Sequence, residues 1–216
     1  MVTTPRRPNT LRPRGEQRVV FHGLTWDDYL QISQALPQRR NSRLTFDGET
    51  LEITMPLEDH EFALRLIELF IRILVFEMGM KIKTMGSTTM NCEKLRRGSE
   101  PDCAYYIQNQ PKVAGRNVDF EQDPPPDLVV EVDITHTDIN KNQLYATMGV
   151  PELWRYNGEV WRIYHLENSE YQECETSPTF PIVKKDDLYR FLTYAQQDEI
   201  AAERNFRTYI QGRLSK

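Results

Sequence analysis

No apolar run in these 216 residues reaches the roughly 18 positions that a membrane-spanning helix needs. Cysteine is scarce as well. Cys92, Cys103 and Cys174 are far apart, odd in number and free of CxxC spacing, which argues against a disulfide framework and against a structural zinc site. Three reduced thiols in a cytoplasmic protein is the resulting expectation. A basic surplus is missing too, because the formal charge is −5. Dedicated nucleic-acid-binding modules usually carry such a surplus, so tight non-specific binding of DNA is disfavoured. A metal-dependent nuclease stays open, since a bound cation neutralises the carboxylates that hold it. The chain has no internal repeat, and low complexity is confined to its start, MVTTPRRPNTLRPRG. That stretch is basic and proline-rich and lacks the apolar segment of a secretory signal. Residues 1–22 are expected to form a disordered arm and residues 23–216 a single domain.

What is present alternates between two periods. Thr25 followed by Asp27 and Asp28 marks a helix start, with an end near Pro37. Alternation on both sides of Asp47-Gly48 predicts a hairpin over 43–53. Residues 56–79 carry the strongest helical pattern, a wide apolar stripe suited to burial against a sheet, with His60 in the first turn and Gly79 as the stop. Strands are expected over 81–85 and 102–107, with a second short piece over 88–91 and a polar, basic loop over 93–99. The Pro- and Gly-bearing stretch 108–126 is long for a connection and reads as a lid or a mobile loop. The clearest strand is Asp127-Leu128-Val129-Val130-Glu131-Val132-Asp133. A helix over 138–148, strands over 152–156 and 160–166, a further strand over 170–175 and one or two helices over 186–207 complete the chain. Helices and strands mix without strict alternation, which predicts an α/β or α+β fold with a mixed sheet flanked by helices.

Glu131 is the first residue that demands a chemical explanation. A carboxylate between two valines in a buried strand costs several kcal/mol unless a cation compensates it. Period-two geometry puts Asp127 and Asp133 on its face, and crowded carboxylates repel unless a divalent cation draws them together. Asp102 opens a second buried strand. If the two strands are neighbours, Asp102 and Glu131 meet at one sheet end, and two carboxylates with a backbone carbonyl and water make a sound Mg2+ site, with Mn2+ as the alternative ion. Lys141 lies in the helix after the Glu131 strand, shares a face with Asp138 and Tyr145, and reaches the acids if that helix folds back. A lysine there would orient the attacking water and stabilise charge on a phosphate. Asp127 is a candidate metal ligand and Asp133 a ligand or a partner for a base. Trp154, Tyr156, Trp161 and Tyr164 read as core or dimer interface. Lys94, Arg96 and Arg97 form a small basic loop that would suit phosphate.

Pro101-Asp102 followed by Asp127-Leu128-Val129-Val130-Glu131-Val132 resembles the core of the PD-(D/E)XK nuclease superfamily. With Lys141 to Tyr145 and Gly149-Val150-Pro151-Glu152-Leu153-Trp154 added, the sequence is similar to a large bacterial group of endonuclease-like proteins long catalogued as a domain of unknown function. The likeness runs from about Leu24 to about Ala195. It implies a restriction-endonuclease-like core, Asp102 and Glu131 as metal ligands, and a histidine where His60 stands. The superfamily lysine belongs two residues after the glutamate, where this chain has Asp133; in the group it has moved to the next helix, where Lys141 stands. The Ser-Pro-Ser-type stretch that often follows the glutamate strand is Ile134-Thr135-His136-Thr137 here.

The resulting expectation is a metal-dependent endonuclease that hydrolyses DNA phosphodiester bonds, with Asp102, Glu131, Lys141 and His60 as the catalytic set. The competing expectation is a catalytically inactive nucleic-acid-binding or assembly protein that keeps the nuclease fold, and between them stands hydrolysis of a smaller phosphodiester. Sheet edges and aromatic-rich strands make a homodimer the expected assembly, and many nucleases of the resembled superfamily also pair.

Overall fold

The computed structural model describes residues 16–37 and 39–215. The chain runs β1 (Glu16–Phe21), α1 (Trp26–Ala35), β2 (Arg43–Phe46), β3 (Leu51–Pro56), α2 (Glu58–Glu77), β4 (Lys83–Thr84), β5 (Met90–Cys92), a 3-10 turn (Glu93–Leu95), β6 (Arg97–Ser99), β7 (Cys103–Tyr106), α3 (Gln110–Val113), β8 (Leu128–Val132), α4 (Lys141–Thr147), β9 (Glu152–Tyr156), β10 (Trp161–Glu167), β11 (Glu170–Cys174), α5 (Lys185–Ala195) and α6 (Glu199–Leu214). Two sheets result, where the sequence suggested one. The first is antiparallel, in the order β1-β3-β2-β6-β5, and the second is mixed, in the order β11-β10-β9-β8-β7-β4. Among the described residues no helix is long and apolar enough to cross a membrane.

The expected arm is corrected at its inner end. Residues 16–21 are not disordered but form β1, paired with β3 from Glu16↔Pro56 to Phe21↔Leu51; residues 1–15 of that expectation lie outside the described residues. The strand escapes pattern reading because its inward face carries Glu16 and Arg18, whereas Val19 and Phe21 face solvent. The basic loop expected over 93–99 is likewise a 3-10 turn followed by β6.

Local chemistry explains the other boundaries. Thr25 Oγ1 accepts the Asp28 N–H at 3.2 Å while Asp28 accepts the Thr25 N–H at 2.8 Å, a reciprocal cap that starts α1. Leu64, Ile67, Phe70, Ile71 and Leu74 bury the stripe of α2 against the mixed sheet, and Gly79, at φ +65°, turns the chain out of the helix. The stretch 108–126 is tied down by contacts of its own. It contains α3, Arg116 is paired with Asp123 at 2.5 Å, and the Tyr106 hydroxyl donates to the Pro124 carbonyl at 2.9 Å.

β8 decides the rest. It runs antiparallel to β7, with Cys103 opposite Val130, and parallel to β9, with Glu131 opposite Arg155. Leu128, Val130 and Val132 enter the large core shared with α2, α5 and α6, where Trp154 and Trp161 are fully enclosed at a centroid separation of 5.5 Å. Of the two places expected for them, core or dimer interface, those tryptophans occupy the core. Val129 packs on the opposite face with Ala104, Tyr145 and Leu153, under α4. Glu131 projects from that second face. Its helix and its strand are joined by the parallel β8-α4-β9 crossover, which returns α4 over the sheet.

Sheet one is held to α1 through Tyr29, which stacks on Phe46 at 5.0 Å and donates to Asn91 Oδ1 at 2.7 Å. The backbone of Gly98 lies beneath it. A methyl group there would stand 2.4 Å from the Tyr29 hydroxyl and 2.7 Å from Asn91 Oδ1. Gly98→Ala is therefore expected to cost about 1–3 kcal/mol, the usual range for overpacking. Urea denaturation checks this; an unchanged midpoint would show that Tyr29 moves aside freely.

Candidate active centre

Asp102 stands immediately before β7 and Glu131 lies within the adjacent β8. Strand adjacency thus brings to one sheet end two acids that are 29 positions apart in sequence. Both are buried, at 6% and 2% exposure. Lys141 opens α4, capped by Asn140, whose Oδ1 accepts the Gln143 N–H at 3.1 Å. Its ammonium donates to Glu131 Oε2 and to Asp133 Oδ1, each at 2.6 Å. The Tyr145 hydroxyl, one turn further along α4, donates to Glu131 Oε1 and meets Ser99 Oγ at 2.7 Å. α4 has folded back over its strand, the condition on which Lys141 depended.

The second half of the cluster surrounds Asp102. Its Oδ2 accepts the Val132 N–H at 2.7 Å and lies 3.1 Å from His60 Nε2. Its Oδ1 is 2.7 Å from Arg43, an ion contact without a well-aligned hydrogen bond. His60 is enclosed in the first turn of α2, and Glu16 of β1 faces it at 3.8 Å. Glu16 in turn binds Arg18 at 2.7 Å and the Thr135 hydroxyl at 2.6 Å. Arg18 bridges to Glu52 at 2.8 Å, and Glu52 accepts the Thr137 hydroxyl at 2.6 Å. Charges from both sheets therefore meet in one layer.

The field within this layer splits its acids. Burial pushes Glu131 up to about 7; Lys141 opposes that, and the neighbouring charges of Asp102 and Asp133 add to it. Burial acts on Asp102 in the same sense but is overcome by the His60 hydrogen bond and by the charges of His60, Arg43 and Lys141, which hold it at about 2. Burial favours neutral Lys141, yet Asp133, Glu131 and Asp102 outweigh it and raise its pKa. His60 is raised as well, with burial opposed by its bond to Asp102. Lys141 is thus a fixed cation and Asp102 a fixed anion, while Glu131 exchanges its proton near neutrality.

Not every expected residue joins the centre. Asp127 shares the face of Glu131 but lies four positions back, roughly 13 Å along the strand. Its oxygens accept the Ile107 and Asn109 N–H groups at 2.6 and 2.9 Å and the Asn109 side chain at 2.6 Å, so it fastens the 108–126 loop and is corrected from metal ligand to loop anchor. Asp133 is drawn in as a partner of Lys141 and of Arg155, whose NH2 is 2.9 Å away. Asp138 precedes α4 and is not the partner of Lys141. Arg43, Glu16, Arg18 and Ser99 were missed. Each comes from the first sheet, and no local pattern links it to β8.

Whether a divalent cation suits these residues is a question about the donor set. Among the described residues no three His, Cys, Asp or Glu side chains converge on a common ion position. What is offered is two hard carboxylates, those of Asp102 and Glu131. Burial, with the charges of Asp102 and Asp133, raises Glu131 in spite of Lys141. A divalent cation would favour the ionised form of Glu131, and two hard oxygen donors are of the kind that Mg2+ or Mn2+ takes, each of them already holding a protein partner.

A mixed sheet flanked by helices, with an aspartate entering one central strand and a glutamate within the next, defines the restriction-endonuclease-like fold of the PD-(D/E)XK superfamily. Residues 26–192 match the Uma2 family, which carries the description "Putative restriction endonuclease", and the chain belongs to that family. No individually curated protein matches the chain. The matched segment contains Asp102, Glu131, Lys141 and His60, whereas β1 and α6 lie outside it.

Proposed function

We propose that this chain is a magnesium-dependent endonuclease that hydrolyses DNA phosphodiester bonds at the Asp102–Glu131 centre. The observation that carries the reading is the Lys141 ammonium at 2.6 Å from Glu131, beside an aspartate delivered by the adjacent strand. In this role Asp102 and Glu131 hold the ion. When bound, a divalent cation polarises the phosphodiester and acidifies a neighbouring water. Lys141 stays protonated, so it acts as a hydrogen-bond donor and a positive charge toward the developing phosphorane, not as a general base. His60 and Arg43 fix the Asp102 carboxylate, and Tyr145 fixes that of Glu131.

Supercoiled, linear and single-stranded DNA incubated with Mg2+ or Mn2+ tests the claim. Wild type should cleave at least one form, and Asp102→Asn should cleave none at a temperature where circular dichroism shows it still folded. Equal cleavage by the variant would remove the centre from the chemistry. One observation favours the second reading, an inactive nucleic-acid-binding protein: every oxygen of Asp102 and Glu131 already has a protein partner. DNA binding without cleavage under either ion would select it.

A further inference from the structure

Beside the centre, at the ends of β8 and β9, is a cleft of about 250 Å3 lined by Asp133, Thr135, His136, Arg155, Asn157 and Arg162 among others. Arg155 and Arg162 stand directly opposite one another across β9 and β10. Like charges at such a cross-strand position repel and destabilise the pair. Their surroundings treat them unequally. Arg155 is anchored, by Asp133 at 2.9 Å and by Asn142 Oδ1 at 2.9 Å. Arg162 is 45% exposed, and its one ion contact among the described residues is Glu173 at 3.9 Å. Glu173 is itself already paired with Lys185 at 2.6 Å. Asp133 is balanced by Lys141 and Arg155, and Asp138 faces His136 at 3.5 Å. The cleft therefore ends with an exposed, loosely paired guanidinium next to a fixed one. A single hydrogen-bonded chain, Arg155 to Asp133 to Lys141 to Glu131, ties it to the centre.

We propose that Arg162, with Arg155 behind it, is a phosphate-binding subsite that grips a backbone phosphate neighbouring the one hydrolysed. The inference rests on the nuclease reading, and it names the part of the substrate that this cleft takes. A guanidinium offers paired N–H donors that match phosphate oxygens, and an anion between two facing arginines removes their mutual repulsion. The contact positions the duplex and carries no sequence information.

The test is fluorescence anisotropy of a labelled 20-base-pair duplex in EDTA, so that binding is read without cleavage, over a series of salt concentrations. Arg162→Ala is expected to weaken binding about 5- to 10-fold, to lower the slope of log affinity against log salt by about one, and to leave the melting temperature within about 2 °C. Arg162→Lys should recover the slope but only part of the affinity. Equal affinity and slope in wild type and Arg162→Ala overturn the subsite, and so does a wild type that binds no duplex. A second arm uses a dinucleotide, which has one phosphodiester and no neighbouring phosphate; an equal Arg162→Ala effect there would overturn the flanking role. Manganese-supported cleavage by wild type, measured separately, keeps the nuclease reading standing if the subsite fails.

Discussion

Lys141→Met is expected to lower the melting temperature by roughly 6–20 °C and to abolish any metal-dependent cleavage. Lys141 is 7% exposed and donates to two carboxylates that are themselves enclosed. Removing one partner of a buried ion pair costs about 3–5 kcal/mol, because the other charge is left desolvated and unpaired. For a chain of this size each kcal/mol moves the midpoint by roughly 2–4 °C. Two acids lose their cation at once here, although Arg155 still serves Asp133, so the greater share of the cost falls on Glu131. That asymmetry gives a second, sharper expectation. Above pH 7, where Glu131 gives up its proton, adding Glu131→Gln to Lys141→Met should restore part of the lost stability, since the unpaired charge is then gone, while cleavage stays lost. Scanning calorimetry of the single and double variants measures the coupling. A double variant less stable than Lys141→Met would mean that Glu131 is stabilised by groups other than the lysine.

The same asymmetry marks how far the sequence carries. Glu131 is legible on its own, because a carboxylate flanked by valines in a strand must be compensated. Lys141 is legible at one remove: its place in the next helix makes it a candidate, and only the return of α4 over β8 makes it a partner. Asp102 needed strand adjacency, which the resemblance supplied and the pairing of Cys103 with Val130 displays. Period two put Asp127 on the correct face but says nothing of distance along the strand, so its loop-fastening role was not visible. The contribution of the first sheet was not legible at all. Glu16 meets Thr135 across 119 positions and Arg43 meets Asp102 across 59, and contacts of that range leave no trace in local periodicity. β1 compounds the difficulty. Its charged residues face inward toward partners, the reverse of the pattern that normally announces a strand. The division into two sheets follows from the same blindness, since hairpin signals specify which strands turn back but not which sheet they join.

The stability of the metal-free protein is expected to fall as pH rises from about 4.5 to about 7. The burial that pushes Glu131 up to about 7 makes its neutral form the one the fold prefers. A carboxyl with a raised folded-state pKa binds its proton more tightly when folded than when unfolded. Its contribution is fully present below its ordinary value near 4.5 and is lost as pH climbs through about 7. The loss amounts to about 3 kcal/mol. Asp102 works in the opposite direction. Held at about 2 by His60 and Arg43 against the pull of burial, it contributes stability above its ordinary value near 3.8 that disappears as pH falls toward 2. These two slopes by themselves leave a maximum near pH 4–5. Thermal melts in EDTA from pH 3 to 8 should trace this curve, and Glu131→Gln should flatten its descending limb while leaving the acidic limb in place. Mg2+ or Mn2+ in excess should lift the wild-type curve above pH 7, where Glu131 is ionised, and leave the variant unmoved. A wild-type curve in EDTA that rises between pH 5 and 7 would mean that Glu131 is compensated within the protein, and the charge argument for a cation at this centre would fail with it.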